Sequence, residues 1–154
     1  MESSQSAAKI PTRFISAAMA AALTDFIKSV VILKGFSVED IAIISLVASE
    51  STKALTSDKY SRECYGYETN VIPNSERHPT PLKAIYTSLG LNRETARRKV
   101  KGLVESGYLL KVKGGYIFPQ QDAEFDYTAD LRRIASQRII DLCRLLQRSG
   151  VLDD

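Results

Sequence analysis

Apolar residues recur at helical spacing along most of this chain, and the places where that spacing fails divide it into segments. Over residues 14–33, Ala, Leu, Ile and Val follow one another with few breaks. Pro11 fits a first helical turn and Gly35 lies past the end, so one long helix is predicted. Ser37 with Asp40 three places on is close to a capping box, and Ile41, Ile44, Val47 and Ala48 keep the helical period toward Leu55. Two long apolar helices joined by a short connection predict an antiparallel pair. Across residues 56–79 the period is lost among Ser, Asp, Asn, Tyr and Pro, which reads as a loop or linker. Residues 68–72 are a candidate strand within it.

The period returns at residue 80. Thr80 is placed to cap a helix with Pro81 at its first position, and Leu82, Ile85, Tyr86 and Leu89 mark that helix up to Gly90. After a three-residue connection Asn92 opens another, with Ala96, Val100, Leu103 and Val104 as its apolar edge. Glu94, Arg98, Lys101 and Glu105 fall on its far side, and Gly107 stands where a left-handed cap belongs. Residues 108–113 and 116–118 then read as two strands around a Gly114-Gly115 turn. Pro119 ends the sheet. Residues 125–146 resume as an amphipathic helix on Leu131, Ile134, Ile139, Leu142, Leu145 and Leu146, decorated by Arg132, Arg133, Arg138, Arg144 and Arg148. That arginine set is either a solvated face or a source of phosphate contacts.

Composition narrows the picture modestly. With 154 residues, 44% hydrophobic and 25% charged, the chain is long and apolar enough to be globular. A net charge of +3 is too mild to diagnose nucleic-acid binding, so its distribution matters more. Between Arg93 and Lys113 stand seven Lys or Arg (93, 97, 98, 99, 101, 111 and 113) against two acids, Glu94 and Glu105. Cys64 and Cys143 lie far apart without metal-ligand neighbours, so neither zinc nor a disulfide framework is expected. The acidic, polar start Met1-Glu2-Ser3-Ser4 does not read as a secretory signal, and the longest apolar passages, such as residues 41–48, are expected to fall short of a membrane span. A soluble, cytoplasmic protein without membrane, metal or cofactor is therefore expected. His78, the only histidine, precedes Pro79 without a nucleophile or carboxylate at catalytic spacing, so no enzymatic role is expected. Tyr60, Tyr65 and Tyr67 would either pack on the core or line a small-molecule pocket, which leaves an effector open.

The mixed face of the Asn92 helix points to DNA. Arginine can fork guanine O6 and N7, and Glu94 could accept from cytosine N4, whereas Thr95 and Lys101 suit phosphate. Lys111, Lys113 and Gly114 at the hairpin would approach the backbone or a minor groove. A solvated helix face is the plainer reading of the same charges.

Residues 80–119 resemble a winged helix-turn-helix DNA-binding domain. The word Asn92-Arg93-Glu94-Thr95-Ala96-Arg97-Arg98 resembles the Ser-Arg-Glu-Thr-Val-x-Arg word of the cyclic-AMP receptor protein family, which implies base reading by Arg93, Glu94 and Arg98. It is also similar to the Ser-Arg-x-Thr-Val-Arg word of GntR-type regulators, which implies weight on Arg93, Thr95 and Arg97. Neither family's remaining architecture is present, and the helices on both flanks are more similar to MarR-type regulators, in which such helices make the dimer. The expectation is a mainly α fold with a small β-hairpin wing, a winged helix-turn-helix flanked by long N- and C-terminal helices. Its segments are a tail (1–10), a helical packing or dimerisation segment (11–55), a loop or linker (56–79), the winged unit (80–119) and a C-terminal helix (120–154). The implied function is a homodimeric transcription regulator on a palindromic duplex operator. A protein-binding or assembly module and an RNA-binding winged helix remain the alternatives.

Overall fold

The computed structural model describes residues 10–67, 70–120 and 128–152. Among them the fold is mainly helical, with one two-stranded antiparallel sheet. The elements are α1 (Thr12–Lys34), α2 (Val38–Ser51), α3 (Lys53–Ser57), α4 (Lys59–Tyr65), a 3-10 turn (Asn74–Glu76), α5 (Leu82–Ser88), α6 (Arg93–Glu105), β1 (Leu110–Val112), β2 (Gly115–Ile117) and α7 (Ala129–Arg148). They fall into two compact units, residues 34–128 and the two chain ends, 1–33 with 129–154.

The central unit is built around one apolar cluster. Ile43, Ile44 and Val47 of α2 meet Ile85 of α5, Val100 and Leu103 of α6 and Leu109 before β1, all buried. Burial of such side chains stabilises by roughly 1.5 to 3 kcal/mol each relative to exposure. Phe36 closes one side by meeting Tyr108 edge to face, with ring centroids 4.8 Å apart. The expected box forms at the start of α2: the Asp40 N–H donates to Ser37 Oγ at 3.2 Å and the Ser37 N–H donates to Asp40 Oδ2 at 2.9 Å.

Several expectations change in this unit. The helix read toward Leu55 breaks at Thr52, whose hydroxyl donates to the Ala48 carbonyl at 2.8 Å, and restarts as α3. The stretch read as loop contains α4, capped by Asp58 accepting from the Ser61 N–H at 2.7 Å. Residues 70–72 are not a strand, and Glu68 and Thr69 lie outside the described residues. Thr80 does not cap α5. Its N–H and carbonyl pair with Tyr116 at 2.8 and 3.0 Å as a single bridge on the free edge of β2, and Pro81 precedes the helix without a side-chain cap. The hairpin turn is Lys113-Gly114, because Gly115 pairs with Val112 inside the ladder.

Glycine is required at Gly115. A Cβ there would stand 2.3 Å from the Thr80 carbonyl oxygen, at φ +150°. The segment before α5 is secured from below: buried Arg77 donates from Nε to the Ile72 carbonyl at 3.1 Å and from Nη1 to the Phe118 carbonyl at 2.9 Å. Its burial pushes the guanidinium pKa down. Ser51 Oγ accepts from the Phe118 N–H at 2.9 Å, tying α2 to the end of the hairpin.

The other unit consists of α1 and α7, whereas α2, read as the antiparallel partner of α1, belongs to the central unit. Ile15, Ala18, Ala22, Phe26 and Val30 form its half-buried to buried stripe, while Phe14, Met19, Leu23, Ile32 and Leu33 are exposed. α7 begins at Ala129, since Phe125, Asp126 and Tyr127 lie outside the described residues, and it exposes Ile139, Ile140 and Leu145. Residues 41–48 are not the longest apolar passage. α1 has 23 residues with only Asp25 and Lys28 charged between Arg13 and Lys34, and by length and composition it is apolar enough to cross a membrane. Mostly buried core helices of soluble proteins and N-terminal signal sequences share that property, and α1 is largely exposed over this stretch.

Candidate nucleic-acid interface

α6 is presented by its caps. Asn92 Oδ1 accepts from the Glu94 N–H at 2.8 Å and starts the helix, as the sequence predicted. At the other end Gly107 is left-handed at φ +79°, the Gly107 N–H donates to the Val104 carbonyl and the Tyr108 N–H to that of Leu103. This paired closure ends α6 and turns the chain into Leu109 and β1. α5 stops in the same way, with Gly90 at φ +63° and the Leu91 N–H donating to the Tyr86 carbonyl. Two short helices that pack together are thus joined by a tight turn, and a hairpin follows.

Ala96, Val100 and Leu103 are buried, so the opposite face of α6 is fixed outward. Arg93, Glu94, Arg97, Arg98 and Lys101 are exposed and Thr95 is half-buried. Lys111, Lys113 and Gly114 are exposed on the hairpin. Every candidate side chain therefore lies on α6 or the hairpin that follows it. Gly114 has a structural reason of its own: φ is +96°, and a Cβ would approach Pro79 Cγ to 3.3 Å.

The cations divide into committed and uncommitted groups. Arg97 forks Glu94, with Nε to Oε2 at 2.9 Å and Nη2 to Oε1 at 2.6 Å. That hydrogen bond lowers the Glu94 pKa and raises that of Arg97. Lys101 stands 3.7 Å from Glu105, an exposed pair of little energetic weight. Lys99 turns away from the outward face, donating from Nζ to Ser37 Oγ at 2.6 Å and to Asp40 Oδ2 at 3.3 Å. Burial pushes the Asp40 pKa up, but the bonds from Ser37 and Lys99 outweigh it and hold the carboxyl below its ordinary value. Arg93, Arg98, Lys111 and Lys113 have no ion pair among the described residues.

The tyrosines separate. Tyr60 and Tyr67 are exposed, whereas Tyr65 lines an open groove of about 240 Å³ with Glu50, Ser51, Ile72, Glu76 and His78. Lys99 and its partners are the feature that sequence reading missed. The signal available was the helical phase of Lys99, which turns it toward the buried edge and away from Arg98.

Comparison with known proteins finds no family model, no curated protein and no solved structure that matches this chain.

Proposed function

We propose that residues 80–119 form a winged helix-turn-helix that binds duplex DNA, with α6 in the major groove and the β1–β2 hairpin on the backbone or a minor groove. The observation that carries this reading is the division of charge. Arg93, Arg98, Lys111 and Lys113 are exposed and have no ion pair among the described residues, on one capped helix and the hairpin that directly follows it. Arginine on the outward face of a short helix suits base edges, and lysine near a hairpin turn suits phosphate.

The chain acts as a homodimeric transcription regulator in this reading. Exposed Met19, Leu23, Ile32 and Leu33 of α1 and Ile139, Ile140 and Leu145 of α7 supply apolar surface that a second copy would cover. Asp25 and Lys28 favour that partner, because each can meet its opposite across a two-fold axis in an antiparallel pair of α1 helices. A palindromic operator with half-sites roughly 34 to 36 Å apart follows.

Fluorescence-anisotropy titration with random duplex, random single-stranded RNA and an acidic polypeptide at two salt concentrations tests the reading. Salt-dependent duplex binding in the micromolar to submillimolar range is expected. Preference for RNA, or for the polypeptide alone, would overturn it in favour of an RNA-binding or assembly module.

A further inference from the structure

Arg97 has two hydrogen-bonding edges, and only one is in use. Its side edge, Nε–H with one Nη2–H, is held by both oxygens of Glu94 at 2.9 and 2.6 Å. Its end edge, formed by Nη1 and the second Nη2–H, has no partner among the described residues. Two parallel donors are what guanine O6 and N7 accept. We propose that Arg97 reads a guanine in the major groove through this end edge, and that Glu94 is its positioning residue and not a reader of cytosine. The inference rests on the duplex-DNA reading above.

Three observations favour this division of labour. Glu94 is itself anchored, since its N–H donates to Asn92 Oδ1 at 2.8 Å and its carboxylate lies in the first turn of α6, where the helix dipole favours negative charge. Both of its oxygens face a cation, so bonding cytosine would require sharing or breaking the fork. Arg97 would otherwise lose its rotamer freedom on binding, and a two-point fork, unlike the single contact of Lys101 with Glu105, would hold the guanidinium in one orientation beforehand. Arg98 lies nearer the middle of the outward face but has no such brace, which suits phosphate as readily as a base.

Two measurements test the proposal on the intact chain. In the free protein, the Arg97 Nε–H resonance in a 15N-resolved NMR spectrum is expected to exchange slowly with water, and Glu94→Ala should collapse that protection. In sequence selection from a random duplex pool, the wild type should enrich a guanine, and Arg97→Lys, which lacks the planar fork, should lose that preference tenfold or more. Glu94→Ala should weaken preference for the same guanine while raising affinity for random duplex, because a negative charge leaves the phosphate-facing surface. The proposal is overturned if Glu94→Ala removes a cytosine preference and leaves the guanine intact, or if Arg97→Lys leaves the selected bases unchanged. Absence of salt-dependent duplex binding by the wild type would remove the DNA reading and this inference with it. Selection governed by Arg98 alone would remove only this inference.

Discussion

Lys99 on α6 donates to the Asp40 carboxylate at 3.3 Å across 59 positions of sequence, and so joins the middle of the outward-facing helix to the N-terminal cap of α2. Both side chains are mostly covered, at 23% and 18% exposure. Lys99→Met should therefore lower stability by about 1.5 to 3 kcal/mol, the usual weight of a charge-assisted hydrogen bond. Urea unfolding is expected to show an earlier midpoint with an unchanged slope. Random-duplex affinity should change little, because this cation does not face outward.

Asp40 also sets an acid limit, against the opposing effect of its burial, through the bonds from Ser37 first and from Lys99 second. Asp40 titrates below its ordinary value of 3.8, so its contribution is fully present above that pH and is lost as pH falls through the lower folded value. Unfolding midpoints measured downward from pH 5 should drop most steeply below pH 4. Asp40→Asn should be less stable at pH 7 and flatter across that window.

Thr80 contributes its backbone to the sheet and nothing from its hydroxyl. The residue is 4% exposed and its Oγ1 has no hydrogen-bond partner among the described residues. Thr80→Val keeps the shape and removes the stranded hydroxyl, so it should be neutral or stabilising by up to about 1 to 2 kcal/mol. A clear loss of thermal stability in calorimetry would show that the hydroxyl has a partner.

Gly115→Ala should be severe. The added Cβ would meet the Thr80 carbonyl at 2.3 Å, in backbone and not in a side chain able to move. A loss of about 2 kcal/mol or more is expected, with faster amide exchange at Thr80 and Tyr116 as the local signature.

If the proposed duplex-DNA binding holds, its salt dependence counts the cations that reach phosphate. The two hairpin lysines of each protomer, Lys111 and Lys113, contribute about −1.8 to the slope of log affinity against log salt, doubled in a dimer on two half-sites, and Arg93 or Arg98 steepens it only where it touches phosphate. Lys111→Ala with Lys113→Ala should reduce it by about 1.8 per protomer. An unchanged slope would place the hairpin away from the phosphates.

Local rules written into neighbouring residues proved legible in the sequence. The Ser37 box, the Asn92 cap and the Gly90 and Gly107 closures were all readable, because each depends on residues a few positions apart. The outward face of α6 followed from its apolar edge. Partnerships across the chain were not readable. Thr80 carries the chemistry of a helix cap, yet Tyr116 recruits its backbone from 36 positions away. Lys99 looked like one more cation in a basic run until α2 supplied Asp40. Residues 59–65 form a helix with no buried member, so no apolar period announced it.

The Thr80–Tyr116 bridge closes the chain on itself. Leaving Thr80, the backbone runs through both short helices and out to the hairpin, then returns to the residue from which it set out. Such a loop has no slack end. Both ends of the 80–116 segment are held at one place, so opening that single bridge would release the start of α5 and the hairpin together.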